Sequence, residues 1–177
     1  KAARRNEMKR KKTVRAVADK SRGARGNMKK YCIEKDIRGE AYKVLIDFLG
    51  RYASSVLLIA QDYLATESCQ DALRKLADFG EEVERVSEWP GTKLFGGTVL
   101  CHKFRASQES LTFVRNHVDS LFSWCWPENP EDLSFAMRDG RILLLTTAHE
   151  SYAEVAVYED MVLPPAVEAI LNKHHCS

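Results

Sequence analysis

The chain has 177 residues, with 27 Lys and Arg against 25 Asp and Glu and a formal net charge of +2. Its length suits one domain, and its 45% hydrophobic content is that of a globular protein rather than a disordered one. The longest apolar run, Val56-Leu-Leu-Ile-Ala60, is far too short to cross a bilayer, so no membrane role is expected.

The charge is unevenly placed. Residues 1–30 hold 13 basic and 2 acidic residues, a net of +11, and the remainder holds 14 basic and 23 acidic, a net of −9. Such asymmetry points to charged partners. Residues 1–30 also have few large apolar residues and no sustained periodicity, which predicts a disordered basic arm ahead of one domain over 31–177. Arg4, Arg5, Lys9, Arg10, Lys11, Lys12 and Arg15 are the arm's candidates for nucleic-acid phosphates, a contact that is salt-dependent and blind to sequence. With no aromatic in the arm, base stacking has no support. No apolar stretch follows the charged start, so it does not read as a secretory signal. The composition changes at Met28, and whether the arm belongs to the native product stays open.

Ala41, Val44, Leu45, Phe48 and Leu49 recur at helical spacing and predict a helix closed by Gly50. Val56–Gln61 predicts a strand buried on both faces. Ser68-x-x-Asp71 resembles a capping box and opens a second helix, with Leu73, Leu76, Ala77 and Phe79 inward and Gly80 as its stop. Residues 82–89 and 98–105 are read as neighbouring strands joined by a loop containing Pro90-Gly91 and Gly96-Gly97. Ser107-x-x-Ser110 begins a third helix whose stripe runs through Leu111, Val114, Val118, Leu121 and Phe122, stopped by Pro127 and Pro130.

Leu133–Met137 and Arg141–Thr147 flank Asp139-Gly140, a hairpin signal because both positions of the tightest turn need positive φ. Tyr152–Tyr158 alternates as a strand, and Pro165 opens a last helix to Asn172. Helices interspersed with consecutive strands give an α+β class with a mostly antiparallel sheet.

The five cysteines are widely spaced, odd in number and without a C-x-x-C pair, which suits structural thiols in a reducing, cytoplasmic setting. A Cys/His nucleophile would have to pair Cys101 or Cys125 with His149 or His117, and no catalytic context marks any of them. His149-Glu150 could serve as an acid–base pair, but neighbours on a strand face opposite sides. His174-His-Cys176 lacks further ligands in register, so it is read as a frayed tail; no metal set and no cofactor is expected. The partner-facing candidates are the acidic cluster Glu81, Glu82, Glu84 and Glu88, with Trp124, Trp126 and Asp132. Each has a plainer reading: the glutamates as a solvated face and the tryptophans as core.

Pro127-Glu-Asn-Pro-Glu-Asp-Leu-Ser-Phe135, Asp139-Gly140 and Thr146-Thr-Ala-His-Glu150 together resemble a pattern in small bacterial immunity-type proteins, the antitoxins of polymorphic toxins. The resemblance covers about 25 residues and brings no catalytic residues. It implies a non-enzymatic intracellular protein that blocks a toxin domain, and a −9 body suits a basic toxin. In physical terms Asp132 and Glu150 are placed to tie strand ends, with His149 as a structural hydrogen-bonding residue. Two other expectations stand beside it: a nucleic-acid-associated protein using the arm, and a small hydrolase-like enzyme using His149 and a carboxylate.

Overall fold

The computed structural model describes residues 27–61 and 66–176. Arg4, Arg5, Lys9, Arg10, Lys11, Lys12 and Arg15 lie outside the described residues.

The strands in chain order are β1 (Met28–Ile33), β2 (Ser55–Ala60), β3 (Glu81–Val86), β4 (Glu88–Trp89), β5 (Thr92–Lys93), β6 (Val99–Arg105), β7 (Glu131–Ala136), β8 (Ile142–Thr147) and β9 (Tyr152–Tyr158). The helices are α1 (Glu40–Gly50), α2 (Glu67–Ala77), α3 (Gln108–His117) and α4 (Pro165–His174). Seven strands form one sheet in the order β1-β9-β8-β7-β2-β6-β3, and every neighbouring pair is antiparallel. The α+β class with an antiparallel sheet is therefore what this sequence forms. No helix among the described residues is long and apolar enough to cross a membrane.

β2 lies between β6 and β7, and five of its six residues are buried. Val56 and Leu58 join the main core, to which Leu45 and Leu49 of α1, Leu76 of α2, Val114 of α3 and Val167 and Leu171 of α4 all contribute. Leu57 and Ile59 point the other way. There they meet Trp89, Cys101, Val86, Leu94 and Val99 in a second, smaller core. The two-stranded hairpin β4–β5, which turns at Gly91, covers that core. Gly91 has φ +86, and a Cβ there would come within 3.0 Å of Leu145 and 3.4 Å of Thr147, so backbone and space both require glycine.

Local chemistry accounts for the element boundaries. Ser107 and Ser110 cap α3 reciprocally, each hydroxyl accepting from the other's backbone N–H at 3.3 and 2.9 Å. α2 is capped two residues earlier than its sequence suggests, by Thr66, whose Oγ1 accepts from the Cys69 N–H. α3 stops at His117 instead of running to Phe122. Val118 is extended because the segment after it pairs with residues 37–39: Gly39 N–H donates to Asp119 O at 2.7 Å, and Leu121 N–H donates to Ile37 O at 3.0 Å. Tertiary pairing overrides the helical pattern there, and Leu121–Ser123 forms a separate 3₁₀ turn.

Three further expectations are corrected. The boundary at residue 30 falls inside β1, which pairs with β9 from Met28 onward, so Lys29 and Lys30 belong to the folded part. Residues 82–89 divide into β3, which pairs with β6, and β4, which belongs to the covering hairpin. At Asp139-Gly140 only Gly140 has positive φ, and Met137 N–H donates to Arg141 O at 2.8 Å. The connection is a three-residue loop with glycine in the left-handed position, not the two-residue turn.

The largest fully buried side chain, Trp124, fixes the segment after α3 to α1. Its Nε1–H donates to Tyr42 Oη at 2.9 Å, and Tyr42 O–H donates to Val114 O at 2.8 Å. Burial pushes the Tyr42 phenol well above its ordinary range, so it acts purely as a neutral hydrogen-bonding group. Tyr42→Phe would leave a buried indole N–H without an acceptor, and we expect a loss of about 1–3 kcal/mol of stability in urea unfolding.

Candidate functional site

The site is built by an irregularity in β7. Leu57 pairs with Ser134, but Ile59, two residues on, pairs with Glu131, so β7 carries one extra residue against β2. This is a β-bulge, in which Asp132 and Leu133 together oppose Leu58, and Asp132 has φ +58. Aspartate is among the few residues that tolerate the left-handed region. In a regular strand Glu131 and Asp132 would face opposite sides. Here Glu131 is paired with Ile59 of the smaller core, and Asp132 bonds Trp89 of the same core, so both carboxylates lie on the hairpin side.

Both are buried, Asp132 at 1% and Glu131 at 8% exposure. Asp132 Oδ2 accepts from Trp89 Nε1–H at 2.8 Å, and Oδ1 accepts from the Ala148 backbone N–H at 3.0 Å. Asp132 thus ties strand ends together, as its sequence position suggested. Glu131 Oε1 accepts from Gln61 Nε2 at 3.3 Å, and Oε2 faces His149 Nδ1 at 3.8 Å. His149 sits in the 3₁₀ turn Ala148–Glu150, which the left-handed Ser151 (φ +52) ends. Its side chain is 41% exposed. One ligand atom from each of Glu131, Asp132 and His149 lies within 4.8 Å of the others.

Burial is the largest influence on the Asp132 carboxyl and, with the charge of Glu131, pushes it up to about 6. The Trp89 and Ala148 donors and the imidazole of His149 act in the opposite direction. Among the described residues no Lys or Arg forms an ion pair with either carboxylate. The group thus buries two carboxylates beside an imidazole, an arrangement whose charge a cation could balance.

The carboxylate that faces His149 Nδ1 is that of Glu131, at 3.8 Å and 18 positions away in sequence. No pattern of spacing marks that pair, and only the bulge brings Glu131 and Asp132 to one side.

The other candidates are dispersed. Glu82 and Glu84 lie on β3, opposite Lys103 and Cys101 of β6, and Glu82 pairs with Lys103 Nζ at 2.8 Å. Glu81 is the first residue of the same strand. Glu88 is on the hairpin and pairs with Lys93 at 2.9 Å. The cluster therefore divides between two sheets. Trp124 is fully buried and is not available to a partner, which corrects its reading as a partner-facing residue. Trp126 is half-buried, and its Nε1 is shielded from solvent with no acceptor among the described residues.

The thiols do not suit nucleophilic roles. Burial pushes both Cys101 and Cys125 up, helped at Cys125 by Glu131 and Asp132. His117 is held by Asn129 at 2.8 Å and stacks on Phe113. The C-terminal tail is docked through Cys176 rather than frayed. His175 Nδ1 accepts from the Cys32 backbone N–H at 3.0 Å, and Cys176 N–H donates to Cys32 O at 2.8 Å.

The raised Asp132 carboxyl has a signed consequence. Between about pH 4 and pH 6 the folded chain keeps a proton that the unfolded chain releases, so this group's contribution to stability falls as pH rises through that window and is level above it. Its size is about 3 kcal/mol. Urea unfolding in metal-free buffer from pH 4 to 7 should show the wild type losing stability relative to Asp132→Asn across that window.

No protein-family model matches the chain, and no curated protein or solved structure matches it.

Proposed function

We propose that this protein is a non-enzymatic binding protein that holds a basic protein partner, in the manner of the immunity-type proteins it resembles in sequence. The observation that carries this reading is the position of the acidic strand. β3, with Glu81, Glu82 and Glu84, is the last strand of the seven-stranded sheet, and one side of its backbone has no strand beside it among the described residues. An open edge accepts an added strand through main-chain hydrogen bonds, with alternate side chains setting specificity. Val83 is 46% exposed on this strand, and Phe95, in the loop leading to β6, is 86% exposed. Exposed apolar side chains of this kind can serve as anchors for a partner.

The Glu82–Lys103 pair does not block this use. Both side chains are largely exposed, and an exposed pair of this kind holds its members only weakly. The −9 of residues 31–177 would steer a basic partner toward the edge. A cytoplasmic setting accords with five free cysteines.

The test is calorimetric titration of the full chain with the basic protein encoded beside its gene. Association should weaken at least about tenfold between roughly 50 and 300 mM salt. Glu82→Lys with Glu84→Lys should slow association while leaving the unfolding midpoint within about half a kcal/mol of wild type. Absence of binding, or binding indifferent to both salt and the two substitutions, would overturn the reading.

A second reading rests on the +11 of residues 1–30. In it the chain also holds nucleic acid through the arm. Deleting residues 1–26 should abolish binding to duplex DNA, and the full chain's binding should fall steeply with salt.

A further inference from the structure

We propose that Glu131, Asp132 and His149 form a binding site for a divalent transition-metal cation, with Zn²⁺ as the best match. The inference rests on the electrostatics of burial together with how the donors are held, and it is independent of any partner at β3.

Two adjacent carboxylates lie on the same side of the sheet at 1% and 8% exposure. Burying like charges is costly unless opposite charge accompanies them. Their protein partners are Trp89 Nε1–H, the Ala148 N–H, the Gln61 amide and the His149 imidazole. The first three are neutral donors. A divalent cation would balance both carboxylates at once, which a single proton on His149 does not.

The arrangement also has the outer support that metal ligands require. Ligating carboxylates are themselves hydrogen-bonded, and those bonds fix their direction. Gln61 holds Glu131 Oε1, leaving Oε2 turned toward His149 Nδ1. Trp89 and Ala148 occupy one position on each oxygen of Asp132, and a carboxylate oxygen has a second lone pair to offer. The bulge that builds the site is of the kind found beside functional centres, where it re-aims a side chain. Thr147 Oγ1, next to Ala148, is buried with no partner among the described residues, so a further oxygen on this stretch has unmet hydrogen bonding.

The donor set selects the metal class. Two carboxylates and one imidazole suit first-row divalent ions better than Ca²⁺ or Mg²⁺, which prefer oxygen alone. The donor atoms lie within 4.8 Å of one another. Tetrahedral Zn²⁺ at roughly 2.1 Å from each would bring them to roughly 3.4 Å. The closure falls to His149, the one ligand with an exposed side chain. Three protein ligands leave a coordination position for water or an incoming ligand, and the exposed imidazole places that position at the mouth of the site.

The test is calorimetric titration of the reduced full chain with Zn²⁺ alone, with thermal unfolding alongside. One ion should bind per chain with a dissociation constant of about 1 µM or tighter and should raise the unfolding temperature. His149→Ala and Glu131→Gln should each weaken binding by about 10- to 100-fold or more. His174→Ala with Cys176→Ser, which removes soft ligands at the C-terminus, should leave it unchanged. His149 is exposed, so its variant reports on the site even if Glu131→Gln proves unstable. No binding at 1 mM Zn²⁺, binding that survives His149→Ala, or binding lost with the C-terminal variant would each overturn the proposal.

Discussion

β2 carries apolar side chains on both of its faces, with Val56 and Leu58 toward the helices and Leu57 and Ile59 toward the hairpin, and this double demand for cover shapes the rest of the molecule. Four helices supply the first cover. The hairpin β4–β5 supplies the second and brings Trp89 down over Ile59. An indole that enters a core still needs an acceptor for its N–H. Asp132 provides it, and so a carboxylate has to be buried. The polar site is thus a consequence of how an apolar strand is covered. Its members are held by the same contacts that close the smaller core.

The two cores differ in kind. The main core is a large cluster closed by helix packing, and it includes hydrogen-bonded polar groups such as Tyr42 with Trp124. Among the described residues the smaller core has three buried members, Ile59, Trp89 and Cys101, with partly buried neighbours. It lies beside the two buried carboxylates of Glu131 and Asp132. Most of the buried apolar side chains thus lie on the helix side, and the buried carboxylates lie on the hairpin side.

Much of the fold was legible where period and burial agree. The stripe of α1, the apolar run of β2, the serine cap of α3 and the glycine turn after Met137 all follow from local rules, and they place the chain in its class. The readings that failed share a cause. The first half of β1 reads as part of the basic arm because Lys29 and Lys30 dominate it, and its pairing with β9 spans 120 to 130 positions. Leu121 and Phe122 keep the helical period and so lengthen α3 in the sequence, yet Asp119 and Leu121 pair through their backbones with Gly39 and Ile37, and Phe122 N–H donates to the Asp36 carboxylate. The candidate site was the least legible part. His149 and Asp132 stand out in the sequence, but Glu131 does not, because alternation assigns it to the opposite face from Asp132.

That alternation fails at a single inserted position. A chain one residue shorter there would run β7 against β2 in unbroken register, and neighbouring side chains would return to opposite faces. One of the two carboxylates would then turn toward the helix-side core and away from the other. The candidate site is therefore written into this protein as an insertion rather than as a choice of residue types. Its presence or absence is a matter of chain length at one point in one strand, and a variant with the same composition but no bulge would share the fold and lack the site.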